Sequence, residues 1–204
     1  MRRFRPLCCF SLLLPLAGCG TTDPRFAGRR EYIGRAGAGG AEVLPRDGAP
    51  PWDHVSYWDG DGAAGNPRIK INLNEQRAYF YKGGDLLGVS TVATGREGYG
   101  TPSGKFKVVQ KNIDHASNLY GDYVDAAGNV VKKDVDVRKD RKPPGTTFRG
   151  APMPYFLRIH GGVGMHAGFL PGYPASHGCI RLPQHMAANF FNEVQVGTPV
   201  EVIN

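Results

Sequence analysis

Residues 68–95, RIKINLNEQRAYFYKGGDLLGVSTVATG, alternate apolar and polar side chains over three short runs. Turn signals separate the runs at Asn74-Glu75 and at Gly83-Gly84. A period of two places one face of each run in a core and leaves the other in solvent, which is typical of half-buried strands. We therefore predict consecutive antiparallel strands here, and with them a mainly β fold.

Further strand signals follow along the chain. Residues 101–112, TPSGKFKVVQKN, predict a Pro/Gly turn and then a strand. Residues 155–168, YFLRIHGGVGMHAG, predict two short strands separated by Gly161-Gly162, and residues 200–203 predict a final strand. These runs indicate one compact mainly β domain with no internal repeat.

One helix is predicted, near the C-terminus. Pro183 suits its first turn, and Gly197 suits its end. Met186, Phe190 and Val194 recur at intervals of four, which makes a buried stripe on one helical face.

The N-terminus has the order of an export signal, with arginines ahead of an apolar run at residues 7–17. The run is too short to span a bilayer. Residues 16–19, LAGC, resemble the lipobox of bacterial lipoproteins, in which Cys19 is lipidated; a plain soluble export signal is the alternative. We expect a lipid-anchored periplasmic protein, and Gly20 in place of aspartate favours the outer over the inner membrane.

Three segments are expected. Residues 1–18 form the signal peptide, and residues 19–66 form a Gly- and Pro-rich tether and lead-in without an apolar period. Residues 67–204 form the folded domain.

The signal also changes the counts of charge and of cysteine. Removing its three arginines from the 25 basic residues leaves 22 against 18 acidic residues, about +4. This charge is too diffuse to argue for nucleic acid. Of the four cysteines, Cys8 and Cys9 leave with the signal and Cys19 carries lipid, so Cys179 is the remaining free thiol.

Residues 130–142, VVKKDVDVRKDRK, hold six basic and three acidic residues. One interpretation is a solvated, mobile loop. The other is a basic lid over a site that binds carboxylates, which would have to move.

The stretch from 160 to 181 holds the parts of a cysteine nucleophile. Cys179 supplies the thiol, and His166 precedes a Gly-rich loop that lets it fold back as general base. His177 and Gly178 can present backbone N–H groups to an oxyanion. Arg181 lies two residues after the thiol and can hold a carboxylate or favour the thiolate.

Two other interpretations stay open. Cys179 taken alone is more typical of a small buried apolar residue. With His160, His166 and His177 it could also ligate zinc, but no CxxC or HxxxH pair is present, and no metal or other cofactor is expected.

SHGCIR at residues 176–181 resembles the signature of the L,D-transpeptidase catalytic domain, the YkuD-like family of bacterial cell-wall enzymes. GTPSGKFKV, MPYFLRIHGGVGMHAG and PGYPASHGCIRLP resemble further blocks of that family in the same order. The resemblance implies a compact β-sandwich of mixed sheets with one helix near the C-terminus and a lid loop.

It further implies a nucleophile at Cys179 and a base at His166, oriented by the backbone carbonyl that follows it. Ser176, His177, Gly178 and Arg181 match the family's positions for oxyanion and substrate binding.

The activity implied by the resemblance is acyl transfer on peptidoglycan stem tetrapeptides, through a thioester and with loss of D-alanine. The acceptor is a diaminopimelate amine, a lysine of an envelope lipoprotein or a free D-amino acid. The alternatives are a hydrolase of the same fold and a silent wall-binding lipoprotein.

Overall fold

The computed structural model describes residues 53–204, so the expected signal peptide, Cys19 and most of the tether lie outside the described residues. The described part forms eleven strands and one helix. In chain order these are β1 (Tyr57–Trp58), β2 (Pro67–Asn72), β3 (Arg77–Lys82), β4 (Asp85–Thr91), β5 (Gly104–Lys107), β6 (Gln110–Val124), β7 (Val130–Asp136), β8 (Thr147–His160), β9 (Val163–Ala167), β10 (Ile180–Leu182), α1 (Gln184–Glu193) and β11 (Pro199–Ile203).

The strands form two mixed sheets. The first has the order β1-β4-β3-β2-β11-β5, and the second has the order β10-β9-β8-β6-β7. Strands β2, β3 and β4 pair antiparallel, which confirms the prediction from residues 68–95. The pairs β2–β11 and β9–β10 are parallel. The expected mainly β fold of mixed sheets with one helix near the C-terminus is confirmed.

One hydrophobic core draws on both sheets and on α1. The predicted stripe of Met186, Phe190 and Val194 is fully buried. Phe190 also packs against Phe80 and Trp58, with ring centroids 5.2 Å and 5.8 Å apart. Trp58 lies in β1, so the sheet begins ahead of the Pro67 boundary that the sequence suggested.

The helix ends at Glu193, slightly earlier than Gly197 would suggest. Lys111 of β6 stabilises the C-terminal end of this helix, because its ammonium donates hydrogen bonds of 2.6 Å to the carbonyls of Phe191 and Val194. These carbonyls carry the negative end of the helix dipole, which a cation stabilises. No helix within residues 53–204 is long and apolar enough to cross a membrane.

The segment predicted as a mobile basic loop is instead structured. Residues 130–136 form the edge strand β7, which pairs with β6, so the loop prediction is wrong there. Hydrogen bonding to the long strand β6 holds these residues in an extended conformation despite their charged composition. Lysines on an edge strand also oppose unwanted pairing with other chains. Arg138 binds Asp136 at 2.7 Å, which neutralises part of the segment.

Candidate active site

A tight turn at residues 176–179 carries the free thiol. The buried Ser176 hydroxyl accepts the Gly178 N–H at 3.0 Å and donates to the Cys179 carbonyl. Gly178 has φ +110°, a conformation that side-chain-bearing residues rarely adopt. Thr101 donates to the Gly178 carbonyl at 2.9 Å and accepts the Gly95 N–H at 2.9 Å. The turn is therefore held by its own hydrogen bonds and by a distant loop.

This network differs from the prediction for two residues. Ser176 is 1% exposed, and its hydroxyl is engaged by hydrogen bonds within the turn. The Gly178 N–H already has an acceptor, so it is not free to serve an oxyanion. Both differences have one cause, because a hydroxyl two residues away lies within reach of that N–H.

The strand pairing brings the thiol and the predicted base to neighbouring strands. Arg181 of β10 pairs with His166 of β9 in parallel register, and Cys179 directly precedes β10. Residues at paired positions and two residues away share a face of a sheet, so all three side chains belong to one face. The Cys179 thiol accepts a hydrogen bond from the Gly164 N–H and donates one to the Gly162 carbonyl at 3.7 Å.

His166 is buried, and its ring is oriented by backbone. Its Nδ1 lies 2.8 Å from the Ala167 carbonyl. A carbonyl oxygen only accepts, so Nδ1 carries the proton and Nε2 has a free lone pair. Burial, with a smaller contribution from the nearby Arg181 guanidinium, lowers the pKa of His166 to about 4, although the hydrogen bond to the Ala167 carbonyl acts in the opposite direction. His166 is therefore a neutral imidazole at physiological pH, as a general base must be.

The thiol is also neutral at rest. Burial raises the pKa of Cys179 above its ordinary value of 9.0, although the Gly164 N–H and the guanidiniums of Arg181 and Arg158 act in the opposite direction. Arg181 thus favours the thiolate, as one of its two suggested roles requires, but burial outweighs this effect on the pKa of Cys179. A neutral thiol on the same sheet face as a neutral imidazole fits proton transfer during attack rather than a preformed ion pair.

His177 joins the turn at residues 176–179 to the β6–β7 hairpin. Its ring stacks on Tyr120 of β6, with centroids 4.2 Å apart and an angle of 21°, and it meets the edge of Tyr99. The Arg96 guanidinium donates to Nε2 at 2.7 Å. Burial and this cation lower the pKa of His177. The side chain thus docks the hairpin over the turn.

Arg181 is held beside the thiol at half burial. Its stem fits over Gly168, where a Cβ atom would lie only 3.1 Å from Cγ and Cδ of the arginine. Its Nη1 lies 3.5 Å from the Phe169 carbonyl, a contact too long to satisfy the guanidinium. The cation is therefore available to an anionic group near Cys179.

The structure thus brings together Cys179, His166, His177 and Arg181, and gives Ser176 and Gly178 a bracing role. Sequence reasoning missed four residues that contact or electrostatically influence these side chains. Arg158 is the one with a signal in the sequence. In LRIH, residues 157–160, the alternation of strand residues places Arg158 on the same face as the thiol once the strand pairing is known. The four are Arg96, Tyr99, Tyr120 and Arg158.

Zinc was the alternative for the same histidines. Among residues 53–204 no group of three or more His, Cys, Asp or Glu side chains is arranged to hold a metal ion.

The sequence profile of the L,D-transpeptidase catalytic domain (YkuD) matches residues 66–202. The match covers more than half of the chain, so the chain belongs to this family. No curated protein sequence matches it.

Solved L,D-transpeptidases share the fold. The enzyme (Yku) from Stackebrandtia nassauensis aligns with a TM-score of 0.50 at 19% identity, over 70% of this chain and 57% of that one. The enzyme from Mycobacterium smegmatis gives 0.51 at 18%, over 68% and 59%. The enzyme from Xylanimonas cellulosilytica gives 0.51 at 19%, over 70% and 62%. This chain thus spans less than two thirds of the length of these structures.

Proposed function

We propose that this protein is a cysteine-dependent L,D-transpeptidase that acts on peptidoglycan stem tetrapeptides. The observation that carries the proposal is the His166 ring, whose Nδ1 is tied to the Ala167 carbonyl. This bond leaves Nε2 as an acceptor on the sheet face that Cys179 shares. Membership of the family supplies the reaction class.

In the first half-reaction the Cys179 thiol gives its proton to Nε2 of His166 while Sγ attacks the carbonyl carbon at the L-centre of diaminopimelate. The backbone N–H groups of His177 and Cys179 are the oxyanion donors we assign, since the Gly178 N–H is taken. The C–N bond to D-alanine then breaks. His166 returns the proton to the departing amine, and a thioester remains.

In the second half-reaction an amine replaces D-alanine. It loses a proton to His166 and attacks the thioester carbon, the C–S bond breaks, and the thiol recovers the proton. A diaminopimelate amine gives a wall cross-link, and a lipoprotein lysine anchors a protein. The neutral states of His166 and Cys179 suit this cycle, because the thiolate and the imidazolium then form only when a substrate is attacked.

The test incubates the purified full-length chain with a disaccharide tetrapeptide, with and without an amine acceptor. We expect a mass adduct on Cys179, released D-alanine and a product joined to the amine. Cys179→Ala should abolish the adduct, and His166→Asn should slow its formation at least a hundredfold. His160→Gln changes an exposed histidine and serves as the matched control.

Product identity separates the alternatives. Tripeptide alone would make the protein a hydrolase on the same scaffold. An adduct that persists in Cys179→Ala, or the lack of any adduct with the wild-type chain, would contradict the proposal and leave a wall-binding role.

We also propose that Cys19 carries the lipid and holds the domain on the periplasmic side of the membrane, at the outer membrane rather than the inner. The LAGC sequence at residues 16–19 supports this anchor. Cell fractionation tests it, since Cys19→Ala should move the protein from the membrane to the soluble periplasmic fraction. An unchanged distribution would refute the anchor.

A further inference from the structure

The hairpin that joins β8 to β9 supplies two backbone groups that contact the reactive sulfur. The Cys179 thiol donates to the Gly162 carbonyl at 3.7 Å and accepts the Gly164 N–H. A carbonyl stabilises the neutral thiol, whereas an N–H stabilises the thiolate that forms during attack. The position of this hairpin therefore influences Cys179 both at rest and during the reaction.

Little packs against the turn of this hairpin. Gly161 has φ +50°, and a Cβ atom placed on Gly161 or on Gly162 would meet nothing within 4 Å beyond its chain neighbours. The strand register also shifts between Arg158 and His160, so the ladder of β8 and β9 is irregular just before the turn. Glycines have more backbone freedom than other residues. Hydrogen bonds are therefore the main restraint on the turn.

The guanidinium of Arg158 supplies such a restraint. Its Nη1 donates to the Gly161 carbonyl at 2.7 Å, and its Nε donates to Oε1 of Gln110 at 2.7 Å. Gln110 lies opposite Arg158 in the pairing of β6 with β8. The guanidinium also lies over the ring of the fully buried Phe156, 5.1 Å from the ring centroid. These contacts hold the guanidinium in place, and through Gly161 it holds the turn.

The backbone of Arg158 acts on the second sulfur contact. Arg158 and Gly164 are partners in the pairing of β8 with β9. One residue thus holds Gly164 through the strand pairing and Gly161 through its side chain. The positive charge of Arg158 also lies close enough to the sulfur of Cys179 to favour the thiolate.

We propose that Arg158 is a positioning residue for acyl transfer: its guanidinium fixes the glycine turn and thereby directs the Gly162 carbonyl and the Gly164 N–H at the reactive sulfur. The proposal rests on the proposed function and deepens it, since it assigns the residue that holds the thiol in its reactive position. The role requires a flat guanidinium, whose N–H groups point in fixed directions toward Gly161 and Gln110. A lysine ammonium carries the same charge without this geometry.

Three variants of the full-length chain separate the fixed geometry from the charge. Arg158→Met removes both, and Arg158→Lys keeps the charge alone. Gln110→Ala removes the bond that anchors Nε of Arg158. It changes an exposed side chain, so it still tests the proposal if Arg158→Met fails to fold. Arg68→Met is the matched control, because Arg68 lies over the Tyr81 ring at 4.4 Å in the other sheet.

The acylation rate at saturating tetrapeptide is the first measurement. Arg158→Met and Arg158→Lys should both slow it about tenfold with little change in KM, because a displaced sulfur impairs the attack rather than the binding. Gln110→Ala should slow it about threefold, the effect of one lost hydrogen bond. Arg68→Met should acylate like the wild type. Full rescue by Arg158→Lys, or a wild-type rate in Arg158→Met or Gln110→Ala, would overturn the proposal.

The pH profile of Cys179 alkylation by iodoacetamide is the second measurement and needs no substrate. Arg158→Met should raise the midpoint by about half a pH unit, because the thiolate loses a nearby charge and a well-directed N–H. A loss of stability alone would not move this midpoint, and Arg68→Met should keep the wild-type value. An unmoved midpoint in Arg158→Met, or an equal shift in Arg68→Met, would overturn the proposal.

Failure of the proposed function is recognised separately. If the wild-type chain forms no adduct with the tetrapeptide, the transpeptidase proposal fails. The alkylation profile still decides whether Arg158 positions the thiol of Cys179.

Discussion

Burial of His166 makes the stability of this domain depend on pH. In the folded state the pKa of His166 is lowered from 6.5 to about 4, chiefly because the ring is removed from water. An unfolded chain restores the ordinary value. Between these two values the unfolded state binds more protons, so the free energy of unfolding falls as the pH falls.

The size of this change in the free energy of unfolding follows from the two pKa values. Their separation corresponds to about 3 kcal/mol, lost progressively between pH 6.5 and pH 4. Small domains have stabilities of about 5–15 kcal/mol, so the loss is a large share of the total. His166→Asn removes the titration, and its amide can still donate to the Ala167 carbonyl.

Urea unfolding of the full-length chain at several pH values between 4 and 7.5 measures the effect. The wild type should lose about 3 kcal/mol more than His166→Asn over this range. Other groups, such as the Asp136 carboxylate paired with Arg138, titrate in both proteins and cancel in the difference. Parallel stability curves for the two proteins would refute the assignment of His166 as a buried neutral imidazole.

Three further predictions follow from named contacts. Ser176→Ala removes both bonds that brace the turn, and urea unfolding should show a loss of about 1–3 kcal/mol; an unchanged midpoint would contradict the bracing role. Lys111→Met keeps the stem but loses both helix-end bonds, and the same assay should show a loss of about 1–2 kcal/mol, against none if α1 needs no cation. Alkylation of Cys179 by iodoacetamide should follow an apparent pKa above 9.0, and Arg181→Met should raise it further; a midpoint near 7 would show a stored thiolate instead.

Much of the fold could be predicted from local patterns. The alternation in residues 68–95 predicted three strands, and the apolar stripe of α1 predicted its buried face. The long strands β6 and β8 could not be predicted in full. β6 is largely polar, and β8 contains Pro152 and Pro154, which are unusual inside a strand; the two are ordered by pairing with each other over most of their length.

The same limit applies to the site. The sequence of residues 176–179 indicated where the reactive turn lies. It did not indicate that the Ser176 hydroxyl would accept the Gly178 N–H. Arg158 entered the site only through the register of β8 with β9. Contacts between residues far apart in sequence leave no trace in any local pattern.

The sequence by itself determined which residues could react, because residue type, spacing and turn chemistry are local properties. It determined that Cys179 has His166 upstream, a glycine before it and Arg181 after it. Only the tertiary structure decided their protonation states, because a pKa depends on burial and on charges supplied by other strands. It also brought Asp122, Asp134 and Arg149 to one cavity beside His177 and Arg181, since these three residues meet only through the pairing of β6, β7 and β8.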